Sequence, residues 1–299
     1  MSVKFQTPLR YPGGKARLGP WLAWLMRHNS ISGGIYAEPY AGGAGAAFYL
    51  LNNQYVRSIF INDLDPVIHA FWWAVLNDTN ELIRLIDSTP VDISSWQKQR
   101  DVLASHEEYS KTEVGFATFF LNRTNRSGIL KAGVIGGINQ DGNYKIDARY
   151  NKENLKQRIL MIARHRKRIN LTNLDALDFM SDVVPEFGNK SLVYFDPPYF
   201  NKGSQLYRNF YNPEDHKKIG QAVSQIQSPW LVTYDNCHPI KDIYSKHKMQ
   251  EFSLIYSTNQ ARPRATEIMV YDHIELPSSP FLSRTSRPYP KDWEAKFAS

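Results

Sequence analysis

Short apolar runs rich in β-branched and aromatic residues recur along the chain and end in loops, at residues 34–37, 58–61, 169–174, 192–195 and 230–234. Runs of this length and composition suit strands covered on both faces, as in a parallel sheet. Between several of them the apolar positions take helical spacing, as at 66–76 and 213–226. Alternating strands and helices predict an open α/β sheet with crossover helices. Two late runs, 252–256 and 267–273, joined by a short polar stretch, read as a hairpin that brings an antiparallel strand into the sheet. Residues 77–167 lack strand alternation and read as largely helical, with a glycine-rich patch at Gly133, Gly136, Gly137 and Gly142. The organisation expected is a discontinuous α/β domain of 1–76 and 168–276, a mainly helical insertion of 77–167, and a Ser-, Pro- and Arg-rich tail of 277–299.

The chain has 299 residues, 42% hydrophobic, enough for one sizeable core or one core plus a smaller lobe. No stretch approaches the roughly 18 apolar residues of a membrane span, and the first residues lack the apolar core of a signal peptide. Cys237 is the single cysteine, which excludes an internal disulfide framework and a cysteine zinc site. These features predict a cytoplasmic protein with neither membrane nor metal as partner.

Charge changes the picture because it is uneven. Residues 91–170 carry 15 Lys and Arg against 8 Asp and Glu, leaving 21 against 21 in the remaining 219. One internal segment therefore holds the whole excess of +7. Its densest part, Arg164-His165-Arg166-Lys167-Arg168, follows Leu155, Ile159, Leu160 and Ile162, whose spacing predicts a helix with an apolar face. The run alone suits a solvated helix face as well as a polyanion. The imbalance across the segment favours phosphate contacts, with Arg166 and Lys167 as candidates.

In such sheets ligands bind at the carboxyl ends of strands, near the point where strand order reverses. After the first strand comes Glu38-Pro39-Tyr40-Ala41-Gly42-Gly43-Ala44-Gly45, where small residues let the backbone approach a ligand before a helix begins. A tight turn would look the same. The second strand ends in Asn62-Asp63, about 20 residues downstream, the place expected for a carboxylate that accepts ribose hydroxyls. Asp65, before Pro66, instead fits a helix cap. The fourth run ends in Asp196-Pro197-Pro198-Tyr199-Phe200. Two prolines fix two φ angles and remove two donors, leaving a rigid turn that presents carbonyl acceptors and an aromatic side chain. An exocyclic adenine amine is a poor nucleophile because its lone pair is delocalised into the ring. The Asp196 carboxylate and Pro197 carbonyl can each accept one of its hydrogens, and hydrogen bonds to a charged group contribute about 1.5–3 kcal/mol each. Tyr199 can stack on a base taken out of a duplex. By itself the motif indicates transfer to an amino group on a planar substrate.

Taken together these segments resemble the Dam-type (D12 class) family of adenine-N6 DNA methyltransferases, over nearly the whole chain to about residue 275. Thr7 to Lys15 resembles the family's N-terminal motif, which implies that Tyr11 and Lys15 help hold S-adenosylmethionine. Glu38, Pro39, Gly42 and Gly43 match its cofactor loop, with Gly45 displaced from the usual pattern. Asp63 matches its ribose-binding acid, and Asp196, Pro197, Pro198 and Tyr199 its catalytic motif. Leu174 to Phe179 resembles the segment placing an acid and an aromatic at the cofactor adenine, which makes Asp178 and Phe179 candidates, while a helix-cap role is open for Asp175 or Asp178. The family inserts its target-recognition lobe where the basic segment lies. Phe119 to Gly128 resembles the Asn-Arg segment ahead of its DNA-contacting loop, although Arg126-Ser127-Gly128 stands where Tyr-Asn-Gly is usual. Arg123, Arg126 and Lys131 are the DNA contacts this implies.

The resemblance implies a Rossmann-like S-adenosylmethionine-dependent methyltransferase sheet with an inserted, mainly helical DNA-recognition domain. It also implies site-specific methylation of a flipped-out adenine in duplex DNA by a monomer or weak dimer, with room for a separate partner nuclease in restriction-modification. An N4-cytosine enzyme would more often begin its motif with Ser. Release-factor or RNA methyltransferases more often begin it with Asn and lack the basic lobe. A catalytically silent DNA-binding relative would not need every catalytic residue type, and nothing resembles the hydride-transfer site of a dehydrogenase.

Overall fold

The computed structural model describes residues 7–11, 15–201, 211–255 and 264–277. Pro12, Gly13 and Gly14 of the N-terminal motif, Tyr256 of the expected hairpin and nearly all of the expected tail lie outside the described residues. In chain order the elements are α1 (Gly19–His28), β1 (Ile35–Glu38), α2 (Gly45–Asn52), β2 (Ser58–Asn62), α3 (Pro66–Asn77), α4 (Thr79–Ser88), α5 (Ile93–Ala104), α6 (Lys111–Thr124), α7 (Lys152–Ala163) and β3 (Ile169–Thr172). They continue with α8 (Ala176–Asp182), β4 (Ser191–Phe195), α9 (Pro213–Val223), β5 (Trp230–Asp235), α10 (His238–Ile243), β6 (Lys248–Ile255) and β7 (Arg264–Asp272). This is the Rossmann-like α/β pattern expected. Asp65 and Asp175 cap α3 and α8, accepting from Val67 N and Leu177 N at 3.2 and 2.8 Å.

The chain divides into two compact units, one of the described residues in 1–14 and 65–173, the other of those in 15–64 and 174–299. The first break falls earlier than 76/77 because α3 is a partner of α6. A Cβ on Gly115 of α6 would stand 2.7 Å from the Ala70 carbonyl oxygen of α3, and Thr118 Oγ1 donates to Val67 O at 3.0 Å. Helices this close share one core.

Within the unit of 15–64 and 174–299 the strands run β2-β1-β4-β5-β7-β6. The pairs β1–β2, β1–β4 and β4–β5 are parallel, while β7 inserts antiparallel between β5 and β6. The strands read as continuous apolar runs because both faces are covered: every residue of β1 and β4 is buried. Ile35, Ala37, Val193, Phe195, Val232, Tyr234, Ile268 and Val270 pack with Phe179 and Met180 of α8, Ile219 and Val223 of α9 and Ile240 of α10. Full burial of such an aliphatic or aromatic side chain contributes roughly 1.5–3 kcal/mol. After β1 the chain leaves toward β2, and after β4 it leaves the opposite way toward β5. The reversal falls between β1 and β4, whose carboxyl ends carry Glu38-Pro39 and Asp196-Pro197.

The other described unit is helical around α6, whose Phe116, Ala117, Phe119 and Phe120 are buried. A capping box of Ser110 and Glu113 starts α6, and Asn151 starts α7 by accepting from Asn154 N at 2.9 Å. Asn122 fastens residues 7–11 to it, accepting Arg10 N–H and donating to Arg10 O, each at 2.7 Å. No described helix is long and apolar enough to cross a membrane.

Candidate active site

The ends of β1 and β2 and the residue before the α8 cap are joined through Asn62, the last residue of β2. Its side chain donates to Pro39 O and Leu174 O at 3.0 Å each and accepts Leu174 N–H at 2.9 Å, while its carbonyl accepts Ala41 N–H at 2.9 Å. This buried amide fixes the loop after β1 against the segment leading into α8. The neighbouring Asp63 accepts Gly42 N–H at 2.8 Å. Gly42 and Ala44 both lie at φ +46°, so the loop turns sharply, and Ala44 holds a conformation that L residues adopt at a cost. Gly45 has a packing reason of its own, since a Cβ there would come within 2.6 Å of Ala16 Cβ. The result is a carboxylate beside a loop whose residues at 41–46 carry no side chain larger than a methyl group.

Glu38, at the end of β1, is buried and accepts from Tyr36 Oη at 3.0 Å and Ala47 N at 3.1 Å. Burial outweighs both donors and lifts its carboxyl to about 8, with Asp196 adding to the lift. Asp196 follows β4. Its Oδ1 accepts from Lys15 Nζ at 2.8 Å and Thr233 Oγ1 at 3.1 Å, and its Oδ2 accepts from Lys15 Nζ at 3.1 Å. Lys15 Nζ also reaches Tyr199 Oη at 3.1 Å and stands 3.7 Å from Glu267 Oε2, while Tyr199 Oη donates to Glu267 Oε1. Glu267 lies on β7 and is 1% exposed. Burial lifts its carboxyl and Asp196 adds to that, against the opposing pull of Lys15. Burial also works against the Lys15 charge, yet Asp196 and Glu267 hold the ammonium well above its ordinary range. Both shifts follow from one arrangement, a single cation serving two carboxylates.

The next layer supports this one. Thr233 shares a 2.8 Å hydrogen bond with Tyr194 Oη, and the Tyr194 ring stacks on Tyr36 with centroids 6.5 Å apart. Asp235 fixes the turn beyond the two prolines by accepting Phe200 N–H at 2.8 Å and Asn201 N–H at 3.0 Å. The expected residues Lys15, Glu38, Asp196 and Tyr199 thus converge, and Gly42 with Asp63 forms a second cluster at the end of β1 and β2. Asp178 is exposed in the first turn of α8, and Phe179 is fully buried, its ring 6.4 Å from Phe187. Asn62, Thr233, Asp235 and Glu267 were not anticipated. Glu267 had a visible signal, an acid at the head of the apolar run Ile268-Met269-Val270-Tyr271.

In the helical unit Tyr11 is half-buried, and Arg126, Lys131, Arg166 and Lys167 are exposed. Arg123 is half-buried: its Nε donates to Arg149 O at 2.7 Å and its Nη1 to Pro8 O at 3.4 Å. Burial, with Arg10, Arg158 and Arg149 nearby, lowers its guanidinium to about 9. No group of three or more His, Cys, Asp or Glu suited to a metal occurs among the described residues.

Comparison with known proteins shows the family of the chain. A type II methyltransferase of Methanocaldococcus jannaschii, M.MjaIII, is 26% identical over 237 residues, 73% of this chain and 79% of that protein. An rRNA methyltransferase of Streptomyces viridochromogenes overlays with a TM-score of 0.36 and 12% identity, covering 87% of this chain and 85% of that one. The family model for D12 class N6 adenine-specific DNA methyltransferases matches residues 11–260, most of the chain. The chain belongs to the D12 class of N6 adenine-specific DNA methyltransferases.

Proposed function

We propose that this adenine-specific DNA methyltransferase acts at a specific sequence of duplex DNA, on an adenine turned out of the helix, through Asp196, Pro197, Pro198 and Tyr199. The observation that carries the reading is the Asp196 carboxylate, fixed by Thr233 and Lys15 at the reversal point of the sheet beside the loop after β1. S-adenosylmethionine is the methyl donor of the family, and the residues present suit it. Asp63 is a half-buried carboxylate able to accept ribose hydroxyls, and the small residues of 41–46 leave backbone amides approachable. Glu38, Pro39, Gly42, Gly43 and Asp63 would hold the nucleoside and its chain, with the exposed Asp178 as a further candidate. When bound, the cofactor supplies an electrophilic methyl group on a sulfonium.

The chain's own residues then have distinct tasks. Asp196 accepts one hydrogen of the adenine amine and the Pro197 carbonyl the other, which draws the nitrogen lone pair out of conjugation. Pro198 keeps the turn rigid. Tyr199 offers a ring face, held in place by Lys15 and Glu267 at its hydroxyl. Lys15 occupies both Asp196 oxygens, so the arriving amine takes over one of its positions while the ammonium keeps Glu267 as a counter-ion. Asp196 is partly open to solvent and passes on the proton released by the methylated amine. The type II assignment of the M. jannaschii relative supports a restriction-modification role with a separate nuclease.

Asp196→Ala is expected to abolish transfer of labelled methyl groups to duplex DNA while S-adenosylmethionine still binds in calorimetry. Ordinary turnover by that variant would refute the mechanism.

A further inference from the structure

Four arginines of the helical unit lie close together, none of them ion-paired to an acid among the described residues. Arg10, Arg149 and Arg158 each act on the charge of Arg123, and Arg149 also acts on Arg10. Their recorded hydrogen bonds run to main-chain carbonyls: Arg10 to Asn125 O at 3.2 Å, Arg123 to Arg149 O and Pro8 O, and Arg158 to Thr7 O at 3.0 Å. Among the described residues none of the four makes an ion pair with a carboxylate. Carbonyl oxygens satisfy guanidinium hydrogens but supply no counter-charge, so the repulsion is left uncompensated.

Arg123 and Arg149 line a cavity of about 450 Å³ together with Asn151 and Asn154 of the start of α7. Asn151, Asn154, Leu155 and Arg158 follow helical spacing, so Arg158 rises from the face that borders the cavity. The helix has 12 residues, and its amino end carries partial positive charge that adds to the field of the arginines, against Glu153 in its first turn and with the Asn154 N–H already taken by Asn151. The lining includes one acid, Asp147, which opposes an anion there.

We propose that Arg123, Arg149 and Arg158, with the first turn of α7, form a site for a phosphate group of the DNA backbone. Arg123 is the fixed floor, and Arg149 and Arg158 are the arms that meet the phosphate. The assignment rests on the reading of this chain as a duplex-DNA methyltransferase and adds a contact that the exposed Arg166-Lys167 run does not supply.

The test uses the full chain, fluorescein-labelled duplex DNA and the double variant Arg149→Gln/Arg158→Gln, which leaves the half-buried Arg123 in place. Each phosphate contact contributes about 0.9 to the slope of log affinity against log salt. The variant, losing one phosphate contact, is expected to lower that slope by about 0.9, with cofactor binding and thermal midpoint near those of the parent. Asp147→Asn is expected to tighten DNA binding about threefold, the size of an exposed charge interaction. An unchanged slope in a variant that still methylates DNA would overturn the site and leave the enzymatic reading intact. Failure of the parent protein to methylate any duplex would instead overturn the reading beneath it. Inorganic phosphate alone at millimolar concentration is the remaining arm. If it raises the thermal midpoint of the parent but not of the variant, and the DNA slope does not move, the site takes a free phosphate and the DNA assignment fails.

Discussion

Replacing Lys15 by methionine removes an ammonium from between two carboxylates while keeping the side chain's length. The ammonium stands 2.8 Å from Asp196 and 3.7 Å from Glu267. At an effective dielectric of about 20, unit charges at such distances attract by roughly 4–6 kcal/mol, and burial of each ion costs several kcal/mol in the opposite sense. Removing one partner leaves the other side uncompensated, which typically costs about 3–5 kcal/mol. Lys15→Met is therefore expected to lose stability of that order at pH 7 and to melt some 6–10 °C lower. The loss depends on pH in a defined direction. Without the ammonium, Glu267 loses the opposing pull of Lys15, and its carboxyl, already lifted by burial and by Asp196, rises further. A carboxyl raised in this way destabilises the fold above the unfolded pKa, so the variant regains stability as pH falls from 7 toward 5. In the parent, the raised Lys15 contributes stability that is complete below 10.5 and is lost only as pH climbs through the higher folded value. Adding Glu267→Gln removes one of the two repelling charges and should restore about 2 kcal/mol. Urea unfolding followed by tryptophan fluorescence, at pH 5 and pH 7, reads all four corners of the cycle. A Lys15→Met cost below about 1 kcal/mol, or a Gln that restores nothing, would show that charge does not hold this site together.

Two further outcomes follow from the strand ends. Glu38 has an ordinary value of 4.5 and a folded value of about 8, so the unfolded chain ionises first. Its contribution to stability is thus present below pH 4.5 and declines up to about pH 8. Glu38→Gln should flatten that decline in thermal midpoints measured from pH 5 to 8, and a decline that persists in the variant assigns it to another group. Asp63→Ala should weaken S-adenosylmethionine binding in calorimetry by about 1.5–3 kcal/mol, the worth of hydrogen bonds to a charged acceptor. An affinity within twofold of the parent would remove Asp63 from the ribose role.

The elements that were legible in the chain are those whose signal is local. Continuous apolar runs marked β1, β2, β4 and β5 to within a residue or two, because strands covered on both faces need no polar alternation. Asp65 before Pro66 marked the start of α3 because capping involves only neighbours in sequence. Long-range partnership was less visible. The apolar run of 66–76 looks alike whether it covers a sheet or another helix, and Gly115 of α6 decided the matter from 45 residues away in favour of helix on helix. At the site, Asp196 and Tyr199 announced themselves by the two prolines between them. Thr233 and Asp235 did not, since a threonine and an aspartate at a strand end are ordinary. Arg123 was legible as a residue but not as an environment, because the repulsion it feels comes from three arginines of separate segments.

The place of Glu267 on β7 has a consequence for how the enzyme is made. Lys15 and Asp196 are already 181 residues apart, and Glu267 arrives later still, on a strand that must slide between β5 and β6. A ribosome releasing the chain from its amino end exposes Lys15 long before the carboxylate that completes its surroundings. Until β7 inserts, β5 presents an open edge and the nascent chain lacks a finished active site. Methylating activity therefore waits on β7, and chains truncated before β7 should be both inactive and prone to associate through that edge.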